Sequence, residues 1–123
     1  MQKAINWFEI PASEFNRAVK FYETIFQEKL NILNLGATKL AMFQVDWSKS
    51  TGGAIAAGRG FEPSQNGTKV YLSGGEDLSG VLGRVEAAGG KIVVPKTQIT
   101  PEFGYMAAFI DTEGNWVGLH SPQ

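Results

Sequence analysis

The sequence predicts an α+β domain built from two copies of one strand–helix–strand–strand–strand (βαβββ) unit. The main observation is a repeat, because the pattern of the first copy returns sixty-three residues later. Each copy opens with a short apolar strand and an acidic turn that leads into an amphipathic helix. Helices that cover one face of each sheet leave the other face free, so we expect the two units to form an open, funnel-like mixed sheet. The matched positions are Trp7, Glu9, Glu14, Phe15, Ala18, Val19, Tyr22 and Ile25 in the first copy and Val70, Leu72, Asp77, Leu78, Val81, Leu82, Val85 and Ala88 in the second.

The first copy is assigned to residues 1–57. Its amino-terminal segment is rich in β-favouring residues, which predicts a strand that stops at Pro11. Ser13 fits a helix N-cap, and Glu14 fits the positive end of the helix dipole. One apolar face follows at helical spacing, from Phe15 to Phe26. The predicted strands of this copy are residues 4–10, 29–35, 40–45 and 53–57.

Residues 58–67 are rich in turn-forming types and are predicted to link the copies, so that the second copy occupies residues 68–123. Its helix is predicted to begin at Glu76–Asp77 and to close at Gly89–Gly90. Residues 111–115 predict a tight hairpin. The segment 96–104 is long for a hairpin, and it fits either a lid or a plain surface loop. The predicted strands of this copy are residues 69–73, 91–94, 105–110 and 116–120.

Composition excludes several classes of protein. The chain has 123 residues, 43% of them hydrophobic, which suits one compact domain with its own core. Its formal charge of -1 comes from interspersed acidic and basic residues, so there is no basic stripe for a nucleic acid. It has no cysteine, which excludes thiolate chemistry. No apolar run spans a bilayer and no secretion signal is evident, so we expect a cytoplasmic protein without a membrane partner.

Three segments carry a resemblance to a known group of proteins. WFEIPASEFNRAVKFYETIF, GGKIVVPKTQI and FIDTEGNWVGLHSP resemble the vicinal oxygen chelate superfamily of glyoxalase, bleomycin-resistance and extradiol-dioxygenase proteins. The likeness covers nearly the whole chain and is greatest to small single-domain members. It implies a paired βαβββ fold and a homodimer.

The resemblance also implies where a divalent metal would be held. Active members place His, Gln or Glu on the first and last strands of each copy, and the ion binds two neighbouring oxygens of the substrate. Those places fall here at Trp7, about Ala54, Val70 and Gly118, and none of these side chains is a metal ligand. We therefore expect no metal or other cofactor. A displaced divalent metal stays as the alternative.

Glu9 and His120 are the candidate catalytic residues. Side chains alternate along a strand, so Glu9 is expected to share the face of Trp7, and His120 that of Gly118. Burial of Glu9 in an apolar pocket would favour a general base, and His120 offers an imidazole, a side chain suited to acid–base catalysis. The alternatives are a structural Glu9, paired for example with Arg59, and a solvated His120 near the carboxyl terminus.

The sequence therefore favours a metal-free protein that binds an unknown small molecule. An indole in place of a metal ligand offers a flat apolar wall with one hydrogen-bond donor. Two alternatives stay open: a lyase, isomerase or dioxygenase-like enzyme that uses a displaced metal or Glu9 and His120, and an interaction subunit with a closed funnel. The residues expected to line the pocket are Trp7, Glu9, Val70, Tyr105, Trp116 and His120.

Overall fold

The computed structural model describes all residues from 1 to 123. It contains eight strands and two helices, in the order expected for two βαβββ units. The first unit contains β1 (Trp7–Pro11), α1 (Phe15–Phe26), β2 (Asn31–Asn34), β3 (Thr38–Met42) and β4 (Gly52–Gly58). The second contains β5 (Tyr71–Ser73), α2 (Ser79–Val85), β6 (Lys91–Thr100), β7 (Gly104–Ile110) and β8 (Trp116–Ser121). None of the helices is both long enough and apolar enough to cross a bilayer.

Each unit forms its own four-stranded sheet, and the two sheets have the same topology. The strand order is β1-β4-β3-β2 in the first sheet and β5-β8-β7-β6 in the second. In both sheets the first strand of the unit runs parallel to the last, and the remaining neighbours are antiparallel. The predicted α+β class and the two βαβββ modules are confirmed.

One hydrophobic core joins the two modules. Helices α1 and α2 pack against each other, and buried residues from both sheets belong to the same cluster. Phe21 of α1 lies 5.6 Å from Phe109 of β7, measured between ring centroids, so the first helix also packs on the second sheet. The apolar spacing missed Phe21, although its side chain is almost completely buried.

The first sheet carries a second, smaller cluster on the face turned away from the helices, which we call its outer face. Leu40, Ala54 and Ala56 are buried there, and Trp7 packs against them. Phe8 and Ile10 alternate with Trp7 along β1 and join the main core instead. Strand alternation thus places Trp7 and Glu9 on the outer face, as predicted.

The repeat has no single spacing, so the sixty-three-residue match is corrected. Ile10 pairs with Ile55 and Leu72 pairs with Leu119, which makes Ile10 and Leu72 equivalent at a separation of 62 residues. The buried positions of the helices are 60 residues apart, because the connection from strand to helix is shorter in the second module. These positions are Ala18, Phe21, Tyr22 and Ile25 in α1, and Leu78, Val81, Leu82 and Val85 in the α2 region.

The shift in spacing changes the role of Val70. A constant match pairs Val70 with Trp7, but Val70 packs against the main core while Trp7 lies on the outer face. Across the parallel pairs, Glu9 is the neighbour of Ala54, and Tyr71 is the neighbour of Gly118. Tyr71 is therefore the structural counterpart of Glu9.

Several predicted boundaries are wrong. The segment 96–104 is not one loop, because β6 continues to Thr100 and pairs with β7 up to Gly104. Helix α2 begins at Ser79 and ends at Val85, so it is shorter than predicted at both ends. Ser13 does not cap α1; the N-cap residue is Glu14, which makes no side-chain capping bond. The N–H groups at this end are bonded instead by a residue that is distant in sequence, described below.

Candidate functional site

A cleft opens between the edge of the first sheet and the start of the last strand of the second sheet. Its volume is about 430 Å³, and seven of its fourteen lining residues are hydrophobic. Residues 7–11 of β1 line it from the first module, while Val70, Trp116 and Val117 line it from the second. Four of the six predicted pocket residues meet here: Trp7, Glu9, Val70 and Trp116.

Trp7 provides an aromatic wall that is held by two neighbours. Its indole N–H donates a hydrogen bond to Glu9 Oε2 over 3.2 Å. Its ring stacks with Trp47, at 6.0 Å between centroids and 12° between planes. Trp47 fits against Gly52, where an added Cβ would come within 2.6 Å of the Trp47 ring. The parallel pairing of Trp7 with Gly52 thus brings the two indoles together.

Sequence reasoning missed Trp47. It lies in the connection between β3 and β4, among polar turn residues, and has no strand or helix periodicity that would reveal its partner. Only the register that sets Gly52 beside Trp7 makes the contact understandable. The available signal was the pair of glycines at 52 and 53, where small residues permit close approach of a side chain.

Glu9 is exposed, contrary to the apolar surroundings that its role as a general base required. The hydrogen bond it makes comes from Trp7, and it forms no ion pair with Arg59. Glu62 from the linker lines the same cleft, so two carboxylates border an otherwise largely apolar surface. The arrangement suits orientation of a ligand's polar group better than removal of a proton.

Trp116 is the aromatic residue that the second module contributes to the cleft. Lys69 places its ammonium nitrogen 4.8 Å from the centroid of the Trp116 ring, a cation–π geometry. Tyr71 meets the same ring edge-on at 5.8 Å, and the Tyr71 ring also covers Gly118. A Cβ at Gly118 would lie 2.3 Å from that ring, so a larger residue there would displace Tyr71. Trp116 is therefore fixed by its neighbours before any ligand arrives.

Tyr105 and His120 lie outside this cleft. Tyr105 packs against the main core, and the Lys96 ammonium lies 4.7 Å from its ring centroid. His120 is exposed, and its Nε2 donates a hydrogen bond of 2.6 Å to the carbonyl oxygen of Phe103 in the turn between β6 and β7. The structure thus brings neither residue together with Trp7 and Glu9.

A buried hydrogen-bond network supports the base of the cleft. Asp111 accepts a bond of 2.7 Å from the Tyr22 hydroxyl and one of 3.0 Å from the Asn115 side-chain amide. The same amide donates to the Pro11 carbonyl over 2.7 Å, and Asn115 Oδ1 accepts from the N–H of Ser64. Burial, followed by the charge of Asp111, raises the pKa of Tyr22 well above its usual value. The network therefore joins α1, β1, the linker and the last hairpin.

The side chains of the outer faces do not fit the metal of the resembling proteins. Ala54 and Gly118 offer no ligand atom, and the indole nitrogen of Trp7 is a hydrogen-bond donor. Across the strand pairs, only Glu9 and Tyr71 supply oxygen atoms beside these two positions. The chain also contains no cluster of three or more His, Cys, Asp or Glu side chains placed to hold an ion. We therefore derive no chemical step through a metal.

Comparison with solved structures identifies the fold. A glyoxalase I variant from Zea mays matches with a TM-score of 0.66 and 19% identity over 94% of this chain and 45% of its own. A hypothetical protein from S. aureus matches with a TM-score of 0.64 and 20% identity, over 98% and 96% of the two chains. The antibiotic binding protein TnmS3 from a Streptomyces species matches with a TM-score of 0.69 and 19% identity, over 98% and 97%.

The chain spans less than half the length of the maize glyoxalase I and nearly all of the two shorter proteins. No protein-family model and no curated protein matches the sequence. The resemblance seen in the three sequence segments, the two modules of identical strand order and these structural matches agree. The chain has the paired βαβββ fold that it shares with glyoxalase I and with the antibiotic binding protein TnmS3.

Proposed function

We propose that this protein binds a planar aromatic or apolar small molecule in the cleft between β1 and β8, without a metal. The observation that carries the proposal is the pair of indoles, Trp7 from the first module and Trp116 from the second, that line one cleft of about 430 Å³. That volume lies within the range of about 300–1,000 Å³ that is usual for ligand pockets. Aromatic walls contribute large contact areas at low cost in side-chain entropy.

Glu9 gives the cleft a polar end. It already accepts a bond from Trp7, and a carboxylate has further acceptor sites for a hydroxyl or amine of the ligand. The fold match to an antibiotic binding protein is consistent with this role but does not select a ligand. No specific contact in the cleft favours an enzymatic reaction over binding, and we therefore propose binding without catalysis.

We also propose that the protein acts as a homodimer. Trp47 and Tyr71 expose 62% and 50% of their surfaces beside outer-face positions of the two sheets. A second copy that covers them would remove large aromatic groups from water. Native mass spectrometry measures the oligomeric state directly, and a monomer at micromolar concentration would contradict the proposal.

The binding proposal is tested with proflavine, a planar aromatic cation, and anthraquinone-2-sulfonate, a planar aromatic anion. Each dye is titrated while tryptophan fluorescence is recorded. We expect saturable quenching by proflavine, and we expect Trp7→Ala to weaken its binding by about tenfold or more, as for an aromatic residue at the centre of a binding surface. Glu9→Gln is expected to weaken the binding of proflavine, and to leave the binding of anthraquinone-2-sulfonate unchanged or tighter.

Phe103→Ala provides the matched control. Phe103 is an aromatic residue that is 63% exposed and does not line the cleft. If it lowers dye affinity as much as Trp7→Ala does, the dye binds to exposed aromatic surface in general and the proposed site is wrong. Absence of saturable binding for both dyes in the folded wild-type protein would also contradict the assignment.

A further inference from the structure

A second cavity lies beside the carboxyl-terminal end of α1, on the other side of Phe8 from the cleft described above. Its volume is about 420 Å³. Phe8 is the single residue that lines both spaces, so the two share one aromatic wall and are otherwise built from different residues. The position of Phe8 depends on Gly53, where an added Cβ would come within 2.3 Å of its ring.

The apolar part of this second cavity is a preformed aromatic cluster. Phe43 lies 6.0 Å from both Phe8 and Phe26, measured between ring centroids, and it meets Phe26 nearly edge-on. Leu30 and Leu72 are buried and complete the wall. The rings are thus held by the main core, and a ligand would not have to order them on binding.

The polar part of the lining carries negative charge only. Glu28 is the one charged residue there, and the lining contains no lysine, arginine or histidine. The Glu28 carboxylate makes no hydrogen bond or ion pair, while its neighbour Lys29 approaches Glu23 instead. An exposed carboxylate without a partner next to an aromatic wall is complementary to an apolar cation.

Hydrogen bonding points to the same ligand class. The Gln44 amide donates to the carbonyl oxygen of Lys29 over 2.7 Å, and the Thr51 hydroxyl donates to that of Ile5 over 3.2 Å. The hydroxyl groups of Tyr71 and Ser73 also line the cavity and, like the Glu28 carboxylate, can accept hydrogen bonds. An ammonium group is a pure donor with three N–H bonds, and it matches such a set.

We propose that this cavity binds an apolar amine, with the ammonium group at Glu28 and the hydrocarbon part against Phe8, Phe26 and Phe43. The site is separate from the proposed dye-binding cleft and does not depend on it. The ligand class is a monoamine that carries one aromatic ring or a short branched chain. The cavity volume of about 420 Å³ is sufficient for such an amine.

The test compares 2-phenylethylamine with 3-phenylpropionate, which has the opposite charge on a similar skeleton. Each is titrated into 15N-labelled protein at constant ionic strength while backbone amide shifts are recorded by NMR. We expect the amine to shift amides of residues 43–45, 51–53 and 71–73 and to bind about fivefold more tightly than the acid, as one partly exposed ion pair allows. Glu28→Lys is expected to reverse this preference, and Glu28→Gln to abolish it.

Glu62→Lys is the matched control, since it makes the same change in net charge at an exposed residue of the other cleft. It should leave the amine preference intact. Equal binding of amine and acid, or no shift with either, would overturn the proposal. Shifts confined to the indole N–H signals of Trp7 and Trp116 would also overturn it, because the amine would then occupy the other cleft.

Discussion

The two modules differ most in the connection that precedes their last strand. Residues 43–51 connect β3 to β4, and residues 111–115 connect β7 to β8. Both contain an aspartate that accepts a hydrogen bond from the N–H two residues ahead, Asp46 from Ser48 and Asp111 from Glu113. The local turn chemistry is therefore the same in the two copies.

The long-range partners are different. Asp46 is exposed and bonds only within its own loop, which leaves Trp47 free to stack on Trp7. Asp111 is buried and bonds to Tyr22 of the other module. One copy of the turn joins the two modules, and the other contributes an exposed indole that stacks on Trp7 of the candidate site. The two turns thus share their local structure, and the role of each is determined by the residues that it contacts elsewhere in the chain.

The largest expected effect comes from removing the joint. Asp111→Ala leaves the buried Tyr22 hydroxyl and the Asn115 amide without their shared acceptor, and we expect it to lower the free energy of unfolding by about 3–4 kcal/mol. Urea unfolding followed by circular dichroism measures this. Asp46→Ala is the matched control and should leave the unfolding midpoint nearly unchanged. Equal losses from the two variants would show that the local turn bonds, and not the buried network, stabilise the fold.

A second effect concerns the start of α1, which the last hairpin of the other module caps. Glu113 Oε1 accepts from the N–H groups of Ser13 and Glu14 at 3.0 and 2.7 Å, and Oε2 accepts from Arg17 Nε at 2.7 Å. We expect Glu113→Ala to lower the free energy of unfolding by about 1–2 kcal/mol, as loss of a helix cap does. Glu14→Ala is the control, because its exposed carboxylate accepts from no backbone group.

This cap should also depend on pH. Burial acts to raise the pKa of Glu113, but bonds from Arg17 and Glu14 outweigh it, so the pKa is lowered from its usual 4.5. A lowered folded-state pKa gives stability that is fully present above the unfolded value and is lost as pH falls through the folded value. The difference in unfolding free energy between wild type and Glu113→Gln should therefore shrink as the pH falls below about 4.5. A constant difference from pH 7 to pH 3 would contradict the assigned ionisation.

A smaller effect on stability is expected at the exposed indole. Trp47 is 62% exposed, so Trp47→Ala should change the unfolding free energy by less than about 1 kcal/mol. It removes the stacking partner of Trp7, however, and should weaken proflavine binding in the titration described above. A large loss of stability with unchanged dye affinity would instead assign Trp47 to the structural core of the first module.

The sequence predicted the two modules, but it did not predict several of the contacts between distant residues. Apolar and β-favouring patterns predicted the positions of both helices and all eight strands. The family resemblance and strand alternation together predicted that Trp7, Glu9, Val70 and Trp116 line one pocket, and all four line the same cleft. The outer-face role of Tyr71 was missed, because the assumed spacing of sixty-three residues exceeds the true strand spacing of 62 by one, and a shift of one residue exchanges the two faces of a strand.

Trp47 and Glu113 were missed as partners for a different reason. Both lie in turns, where side-chain direction follows from tertiary contacts and not from a period. Glu113 reaches the start of α1 across nearly a hundred residues of sequence, and such a contact leaves no local pattern. His120 faces the direction expected for its strand, but the turn at Phe103 binds its ring. Sequence patterns predict which face a residue occupies, and only the fold determines its neighbours.

The smallest expected effect lies at the start of α2, where the second module supplies its own acidic group. Asp77 accepts bonds from the Ser79 N–H and from Lys96 Nζ, each at 2.9 Å. The Ser79 bonds, followed by Lys96, lower the pKa of Asp77 to about 2. Because the Ser79 N–H remains in a Lys96→Met variant, the pKa should rise only part of the way toward 3.8, as measured by NMR titration of the carboxyl carbon. A rise of the Asp77 pKa to 3.8 would show that Lys96 accounts for the whole shift. The acidic residue before α2 would then depend on a partner that is distant in sequence, as the start of α1 does.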